Sequence, residues 1–220
     1  MSVADVLKAA AALALGYLSG SVSYAILVTR LVLRRDIREL GNKNPGTANV
    51  ARNVGKGWAA VVFFADLLKG FLPMLLVRLL LFPADTALAA FVTVAAGLAA
   101  ITGHCKPVFF GFRGGGGIAT AIGVYLFFVP VELFASMLVG FGLVMLFVKS
   151  TRYRFGRWTP IMFVALTPLA TLALSLWVDI PLIASVSLGG HSWPVVAAVF
   201  AISIFLILMN LRVLRETLAP

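Results

Sequence analysis

The sequence predicts an all-α integral membrane protein with seven transmembrane helices, an N-terminus outside the cell and a cytoplasmic C-terminus. Hydrophobic residues make up 61% of the 220 residues, and the mean hydropathy is +1.05. A core of this size cannot bury so many apolar side chains, which excludes a soluble domain. The two further observations are the lengths of the apolar runs and the distribution of the cations.

The apolar runs have the lengths of membrane helices. A helix needs about 20 residues, with a range of roughly 17 to 25, to cross the hydrocarbon layer. Seven runs are candidates: residues 5–30, 56–82, 86–103, 117–131, 133–148, 159–178 and 193–211. Pro130 and Glu132 predict a tight outer turn between the short fourth and fifth spans. Because no repeat or low-complexity linker is evident, the sequence predicts a single domain over residues 1–220.

The cations indicate the orientation. With the N-terminus outside, the inner segments contain 15 of the 18 Lys and Arg residues. The positive-inside rule therefore predicts an outside N-terminus and an inside C-terminus. These cations lie beside hydrophobic segments, so the net charge of +10 indicates contact with membrane lipids and their anionic headgroups rather than with nucleic acid.

A polar segment between two apolar runs is the first candidate site. Residues 104–117 include His104, Lys106, Arg113 and four consecutive glycines. A glycine run allows successive N–H groups to face one anion, and a helix beginning at Ile118 would add its positive end. The alternative is a flexible hairpin between membrane helices. The neighbouring cations favour a phosphate site that would include Arg113, Gly114, Gly115, Gly116 and Gly117.

The loop between the first two spans is a second candidate site. Its amides offer donors and acceptors to a polyol, its glycines permit close backbone approach, and Arg52 suits bidentate binding of phosphate. A solvated loop with basic anchors is the alternative, but it explains the three asparagines at 42, 44 and 49 poorly. The residues of interest in and before this loop are Arg30, Lys43, Asn44, Gly46, Asn49 and Arg52.

Two ionisable residues lie inside the second span. Asp66 and Lys69 have the i, i+3 spacing that places them on one helix face, which predicts an ion pair. Charged residues in membrane helices are also candidates for function, so a structural and a functional role for Lys69 both stay open.

Ser21 lies among small residues that are typical of close helix packing, and Asn210 could cap the last span or bond between helices.

Other kinds of site have no support in the sequence. The two histidines lie on opposite sides in the predicted topology, and Cys105 is the only cysteine, so no metal-ligand cluster is predicted. Val108 stands where the aspartate of a histidine–aspartate acyltransferase dyad would follow His104. An acyl transfer in this chain would therefore need an activated donor.

Taken together, these motifs resemble the bacterial membrane glycerol-3-phosphate acyltransferases of the PlsY type. The resemblance covers most of the chain. It rests on the following segments and residues: Gly20-Ser21, Arg30, Asp36-Ile37-Arg38, Gly41 to Arg52, Gly55-Lys56, Asp66 to Gly70, Gly103-His104, Pro107, Phe109, Phe112, Gly114-Gly115, Gly117 to Thr120, Thr151-Arg152-Tyr153, Asn210 and Arg212.

The resemblance implies a reaction in phospholipid synthesis. A fatty acyl group would pass from acyl phosphate to the 1-hydroxyl of sn-glycerol 3-phosphate at the cytoplasmic face of the inner membrane, giving lysophosphatidic acid and phosphate. No cofactor or metal is implied. Ser21, Lys69 and His104 are the implied catalytic residues, and Thr120 and Asn210 join the phosphate-binding residues named above. A substrate phosphate could itself accept the hydroxyl proton.

The chain departs from the pattern of that family at several positions. Gly116 stands at the lysine position of the family's Gly-Gly-Lys-Gly loop, and Ile207 replaces a histidine. Two alternatives therefore stay open: a divergent paralogue with another acceptor, and a non-catalytic protein that binds or transports a phospholipid or phosphorylated metabolite.

Overall fold

The computed structural model describes residues 2–84, 86–149, 158–177 and 193–211. These residues form an all-helical fold, as predicted, with loops between the helices. The α-helices are α1 (Val3–Ser21), α2 (Tyr24–Leu33), α3 (Thr47–Asn53), α4 (Lys56–Leu76), α5 (Ala87–Cys105), α6 (Ile118–Phe128), α7 (Pro130–Phe147), α8 (Thr159–Trp177) and α9 (Trp193–Met209). A π-helical turn, Val77–Leu81, extends α4, and short 3₁₀ turns occupy Ile37–Glu39 and Val108–Phe110.

The predicted apolar runs correspond to helices in every case. Among the described residues, five helical segments are long and apolar enough to cross a membrane, and α6 and α9 are shorter apolar helices. The predicted run over 5–30 contains a break, because α1 ends at Ser21 and α2 begins at Tyr24. The tight turn at Pro130 is confirmed, since only Val129 separates α6 from α7.

The chain divides into two compact units, Met1–Val124 and Tyr125–Pro220. In the second unit, α8 packs against α7 and α9, and the Tyr125 hydroxyl lies 2.7 Å from the Ser203 hydroxyl. Both candidate sites lie in the first unit. There α1 packs against α4 and α5, and a Cβ at Gly20 would overlap the carbonyl oxygen of Ala100. This close approach supports the packing role predicted for the small residues around Ser21.

Candidate functional site

A buried polar cluster joins the break after α1 to α4 and α5. Lys69 Nζ lies 2.8 Å from Asp66 Oδ1 and donates a hydrogen bond of 2.7 Å to the carbonyl oxygen of Val22. The ammonium also lies 5.7 Å from the centre of the Tyr24 ring. The predicted Asp66–Lys69 pair is confirmed. Because the first span is broken between α1 and α2, the Val22 carbonyl is available to Lys69.

Ser21 and His104 complete this cluster. The Ser21 hydroxyl donates to the Tyr17 carbonyl at 2.8 Å, and the Val108 N–H donates to Ser21 Oγ at 3.4 Å. His104 Nδ1 lies 3.2 Å from Thr120 Oγ1 and 3.7 Å from Asp66 Oδ1. Asp66, Lys69, Ser21, His104 and Thr120 are all buried. The structure thus brings together the three predicted catalytic residues and Thr120, which are distributed over α1, α4, α5 and α6.

The glycine loop lies directly against His104. A Cβ at Gly115 would overlap His104 Nε2 and would approach the Pro45 carbonyl oxygen at 2.8 Å. Gly114 and Gly115 donate their N–H groups to the carbonyls of Cys105 and His104, at 3.2 and 3.1 Å. The last carbonyls of a helix have no partner within that helix, and these two bonds satisfy carbonyls at the end of α5.

This arrangement differs from the expected cradle of glycine N–H groups. Since the N–H groups of Gly114 and Gly115 are hydrogen-bonded to carbonyls of α5, these glycines contribute to a site by allowing a close approach to their backbone. Gly117 has a φ of +80°, a left-handed conformation that favours glycine, and α6 begins at the next residue. The first-turn N–H groups of α6 are the donors that a helix start offers to an anion.

Asp36 forms ion pairs with Arg30 and Arg38, and these three residues, which we call the clasp, connect the first loop to the segment before the glycines. Arg38 donates to both carboxylate oxygens of Asp36, at 3.0 and 2.9 Å, and to the carbonyl oxygen of Phe110 at 2.8 Å. Arg30 donates to the same carboxylate at 2.8 Å and lies 5.8 Å from the centre of the Phe110 ring. The position of Arg30 therefore supports a role in holding this clasp.

Clasp residues and predicted phosphate-binding residues line one open cavity of about 650 Å³. The cations Arg38, Lys43 and Arg113 share it with Asp36, Glu39 and Gly114, beside Pro45, Phe110 and Gly111. Lys43 has a φ of +61°. The structure thus brings Lys43, from the first loop, to the same cavity as Arg113 and Gly114 from the second.

The asparagine loop is held largely by its own contacts. Asn49 is buried, donates to the carbonyls of Ile37 and Leu40 at 3.3 and 3.0 Å, and accepts from Asn53 Nδ2 at 2.8 Å. These bonds occupy both amide hydrogens of Asn49, which makes it a residue that shapes the loop. Its predicted contact with phosphate stays a prediction.

The other predicted binding residues lie at different depths. The Asn44 side chain and Gly46 are half-buried in the loop before α3, whereas Arg52 is exposed in the last turn of α3. Asn210 lies in the second unit, where its side chain donates to the Leu206 carbonyl at 2.9 Å. Thr151, Arg152, Tyr153, His191 and Arg212 lie outside the described residues.

Three site residues are absent from the predicted set of catalytic and binding residues. Asp66 was predicted only as the partner of Lys69, and its approach to His104 joins positions far apart in sequence. The sequence analysis gives Asp36 and Arg38 no role beyond their place in a motif. A carboxylate and a guanidinium two residues apart in a polar loop are nevertheless typical of a local bidentate pair.

The clasp predicts an acid-sensitive contribution to stability. The hydrogen bonds from Arg38 hold the pKa of Asp36 well below its usual range. A carboxyl with a depressed folded-state pKa stabilises the fold above its unfolded value, about 3.9, and loses that contribution as the pH falls through the folded value. As the pH is lowered below about 4, we expect the unfolding temperature in detergent to decrease, and to decrease less in Asp36→Asn than in the wild type. Glu39→Gln removes a neighbouring carboxylate but keeps the hydrogen bonds of Arg38 to Asp36, and it therefore controls for charge. An unchanged pH dependence in Asp36→Asn would contradict this prediction.

Comparisons with known proteins agree with these features. The family model described as glycerol-3-phosphate acyltransferase matches residues 10–216. A Halalkalibacterium halodurans protein named glycerol-3-phosphate acyltransferase is 37% identical over 166 residues, which is 75% of each chain. A Myxococcus xanthus protein of the same name is 46% identical over 125 residues, but the match covers 57% of this chain and 62% of that protein. The match to an Albidiferax ferrireducens relative covers 55% of that protein.

Solved structures resemble most of the chain. The crystal structure of PlsY (YgiH), an integral membrane glycerol 3-phosphate acyltransferase, in its glycerol 3-phosphate form has a TM-score of 0.68 at 30% identity, covering 96% of this chain and 92% of that one. Its lysophosphatidic acid form has a TM-score of 0.65 at 28% identity, covering 95% and 91%. With a family model that spans nearly the entire sequence and a solved structure that is similar over 96% of it, this chain belongs to the glycerol-3-phosphate acyltransferase family.

Proposed function

We propose that this protein transfers a fatty acyl group from acyl phosphate to the 1-hydroxyl of sn-glycerol 3-phosphate, releasing lysophosphatidic acid and inorganic phosphate. The observation that carries the proposal is the convergence of Ser21, Lys69 and His104 beside a glycine loop, in a chain of this family. The similar structures in glycerol 3-phosphate and lysophosphatidic acid forms support the choice of acceptor and product.

Acyl phosphate is a mixed anhydride, so its carbonyl is already activated. The protein then chiefly has to bind two phosphates and align the hydroxyl with the carbonyl carbon. In this proposal the reacting groups lie beside His104, Lys69 and Ser21. A phosphate binds at the cavity lined by Arg38, Lys43 and Arg113, with Asn44, Gly46, Asn49 and Arg52 in the adjoining loop. Gly116, Gly117, Thr120 and Asn210 stay predicted phosphate-binding residues.

We further propose seven membrane spans with the N-terminus outside and the active site facing the cytoplasm, in the inner membrane of a bacterium. The apolar helices and the bias of Lys and Arg support this topology. Both candidate loops, between α2 and α4 and between α5 and α6, then lie on the cytoplasmic side. In this proposal residues 1–220 act as one functional domain surrounded by membrane lipids.

The decisive experiment supplies purified protein with acyl phosphate, with and without sn-glycerol 3-phosphate, and measures phosphate release together with lysophosphatidic acid. Formation of both products only with acceptor supports the proposed reaction. Phosphate release that does not need the acceptor would point to a paralogue with another acceptor. Absence of both products from a folded preparation would contradict the proposed enzymatic activity. Substrate uptake into sealed vesicles without chemical conversion would then identify a transporter.

A related prediction concerns the charge of the shared cavity. Lys43 reaches the cavity from the first loop, while Gly116 stands at the lysine position of the family's glycine loop. We expect Lys43→Ala to lower kcat/KM by about 10-fold, because a hydrogen bond to a charged group contributes roughly 1.5–3 kcal/mol and about 1.4 kcal/mol corresponds to a factor of ten. Gly116→Lys should restore part of the loss.

The controls separate this effect from a general loss of positive charge. Arg35→Ala removes an exposed cation from the same inner segment and should leave kcat/KM near the wild-type value. Strictly additive effects of Lys43→Ala and Gly116→Lys would show that the two positions do not serve the same phosphate.

A further inference from the structure

The segment between α5 and the glycine run, residues 106–113, presents apolar side chains to its surroundings, and we call it the aromatic turn. Val108, Phe109 and Phe112 are 40%, 59% and 55% exposed. The backbone of the turn is nevertheless ordered by hydrogen bonds, since the Phe112 N–H donates to the Pro107 carbonyl at 2.9 Å. Apolar groups exposed together on one ordered turn are typical of a surface that contacts another molecule or a membrane.

The backbone of this turn has an unusual conformation. Phe112 has a φ of +59° and follows Gly111, which has a φ of +66°. The left-handed region is rare for a bulky residue, because its Cβ approaches the following carbonyl oxygen. Unfavourable backbone conformations persist where the surrounding structure maintains them, and they are frequent at functional positions. Since glycine or asparagine would adopt this conformation more easily, the geometry of the turn does not explain the aromatic side chain at position 112.

Two membrane helices end at the aromatic turn. Both α1 and α5 contain 19 residues, which corresponds to about 28 Å at 1.5 Å per residue. That length is close to the hydrocarbon thickness of a bilayer, about 30 Å. Ser21 ends α1 and its hydroxyl oxygen accepts from the Val108 N–H, while Cys105 ends α5 directly before the turn. In the proposed topology, the aromatic turn therefore lies where the hydrocarbon layer meets the headgroups.

Exposed cations accompany the aromatic side chains. Lys106 and Arg113 are the first and last residues of the turn, and both are exposed. Arg34 is exposed directly after α2, whose Arg30 lies 5.8 Å from the centre of the Phe110 ring. Phenylalanine combined with lysine and arginine is typical of segments that lie at the surface of a bilayer containing anionic lipids. The charge and the depth of the turn thus indicate the same partner.

We propose that the aromatic turn docks into the headgroup layer of the bilayer, with anionic lipids as its partners. Phe109 and Phe112 enter the boundary of the hydrocarbon layer, while the Lys106 ammonium extends to the phosphates of the headgroups. Because Gly114 and Gly115 follow the turn directly, this contact anchors the loop that carries part of the candidate site. The inference rests on the membrane topology within the proposed function and does not depend on the reaction.

The depth of the turn can be measured with a spin label and without substrate. Cys105 is the only cysteine of the chain and is buried, so the thiol of Phe109→Cys can be labelled selectively with a nitroxide. The full chain is placed in nanodiscs of phosphatidylcholine mixed with phosphatidylglycerol. The reference is the same label in Ala48→Cys, at an exposed position of α3 in the other candidate loop.

We expect the label at position 109 to collide more often with oxygen, which dissolves in the bilayer, than the label at position 48 does. Its collisions with a water-soluble nickel chelate should be fewer. Equal accessibility of the two positions to both reagents would overturn the proposal.

Lipid composition and Lys106 test the anionic partner. The spectrum of the label at position 109 gives the ratio of docked to undocked turn, and this ratio should be lower in nanodiscs of phosphatidylcholine alone. Lys106→Gln should lower the ratio by about fivefold in the anionic nanodiscs, since a cation near an anionic surface contributes about 1 kcal/mol. Lys56→Gln removes an exposed cation at the start of α4 and should leave the ratio unchanged. Equal ratios in the two lipid compositions, or equal effects of the two lysine variants, would overturn the proposal.

Phe112 separates docking from the shape of the turn. Phe112→Asn removes the aromatic ring, but asparagine tolerates the left-handed conformation, so the unfolding temperature in detergent should stay near the wild-type value. The docked fraction should decrease in Phe112→Asn and persist in Phe112→Trp, because tryptophan favours the membrane interface. Equal docking of these two variants would overturn the proposal. A protein that docks normally but forms no lysophosphatidic acid would contradict the proposed reaction and support this inference.

Discussion

Replacing Lys69 by methionine is expected to destabilise the protein by about 3–5 kcal/mol and to abolish acyl transfer. Methionine keeps most of the length of the side chain but removes the ammonium that lies 2.8 Å from Asp66 Oδ1. The carboxylate would then be buried without a counter-ion, and the Val22 carbonyl would lose its 2.7 Å hydrogen bond. The measurements are the unfolding temperature in detergent and the rate of lysophosphatidic acid formation.

Two further variants separate the buried charge from other effects of the substitution. Lys56→Met changes an exposed lysine at the start of the same helix and should alter stability by no more than about 0.5 kcal/mol. Adding Asp66→Asn to Lys69→Met removes the uncompensated charge, so stability should recover in part while activity stays lost. If Lys69→Met alone were as stable as the wild type, the ion pair would not support the fold.

Replacing Gly115 by alanine should lower kcat/KM by about 100-fold. The added Cβ would overlap His104 Nε2 and press on the Pro45 carbonyl, so the imidazole or the loop must move. A displacement of about 1 Å at a reacting group is sufficient for a loss of this size. The loop lies outside the helices that form the apolar body, so we expect the unfolding temperature to change little.

Gly57→Ala is the matched control for this substitution. A Cβ at Gly57 meets no atom within 4 Å, and the residue lies in the first turn of α4, away from the cluster. Alanine favours helix over glycine by roughly 0.8–1.0 kcal/mol in a helix interior, so this variant should be as stable as the wild type or more so, with normal activity. Full activity in Gly115→Ala would show that the contact with His104 has no part in the reaction.

The buried cluster shows how far the sequence could predict the site. The spacing of Asp66 and Lys69 predicted their pairing, because two positions three residues apart share a helix face whatever the rest of the chain does. The approach of His104 to Asp66 could not be predicted in this way. It depends on α4, α5 and α6 being packed together, and α6 reaches α4 where a Cβ at Gly70 would overlap the Thr120 carbonyl.

The loops show the same division. The glycine run and the asparagines identified the two segments that approach the proposed substrates, since these residue types are unusual between apolar helices. The sequence did not predict the hydrogen bonds that these glycines and asparagines make. Gly114 and Gly115 donate to the end of α5, and Asn49 donates to its own loop, because the nearest unsatisfied carbonyls in the folded chain take those donors.

The amino-acid sequence alone predicts that this chain is a helical membrane protein, where its apolar helices lie, and which polar segments interrupt them. Those properties follow from hydropathy and spacing along one chain, where the bilayer sets the helix length and the backbone must satisfy its own hydrogen bonds. The folded structure was needed to show that the Val22 carbonyl accepts from Lys69, that Arg38 bonds to Phe110, and that His104 lies between Asp66 and Gly115. Such contacts join residues far apart in sequence, and they exist because helix packing brings those side chains within a few ångströms of each other.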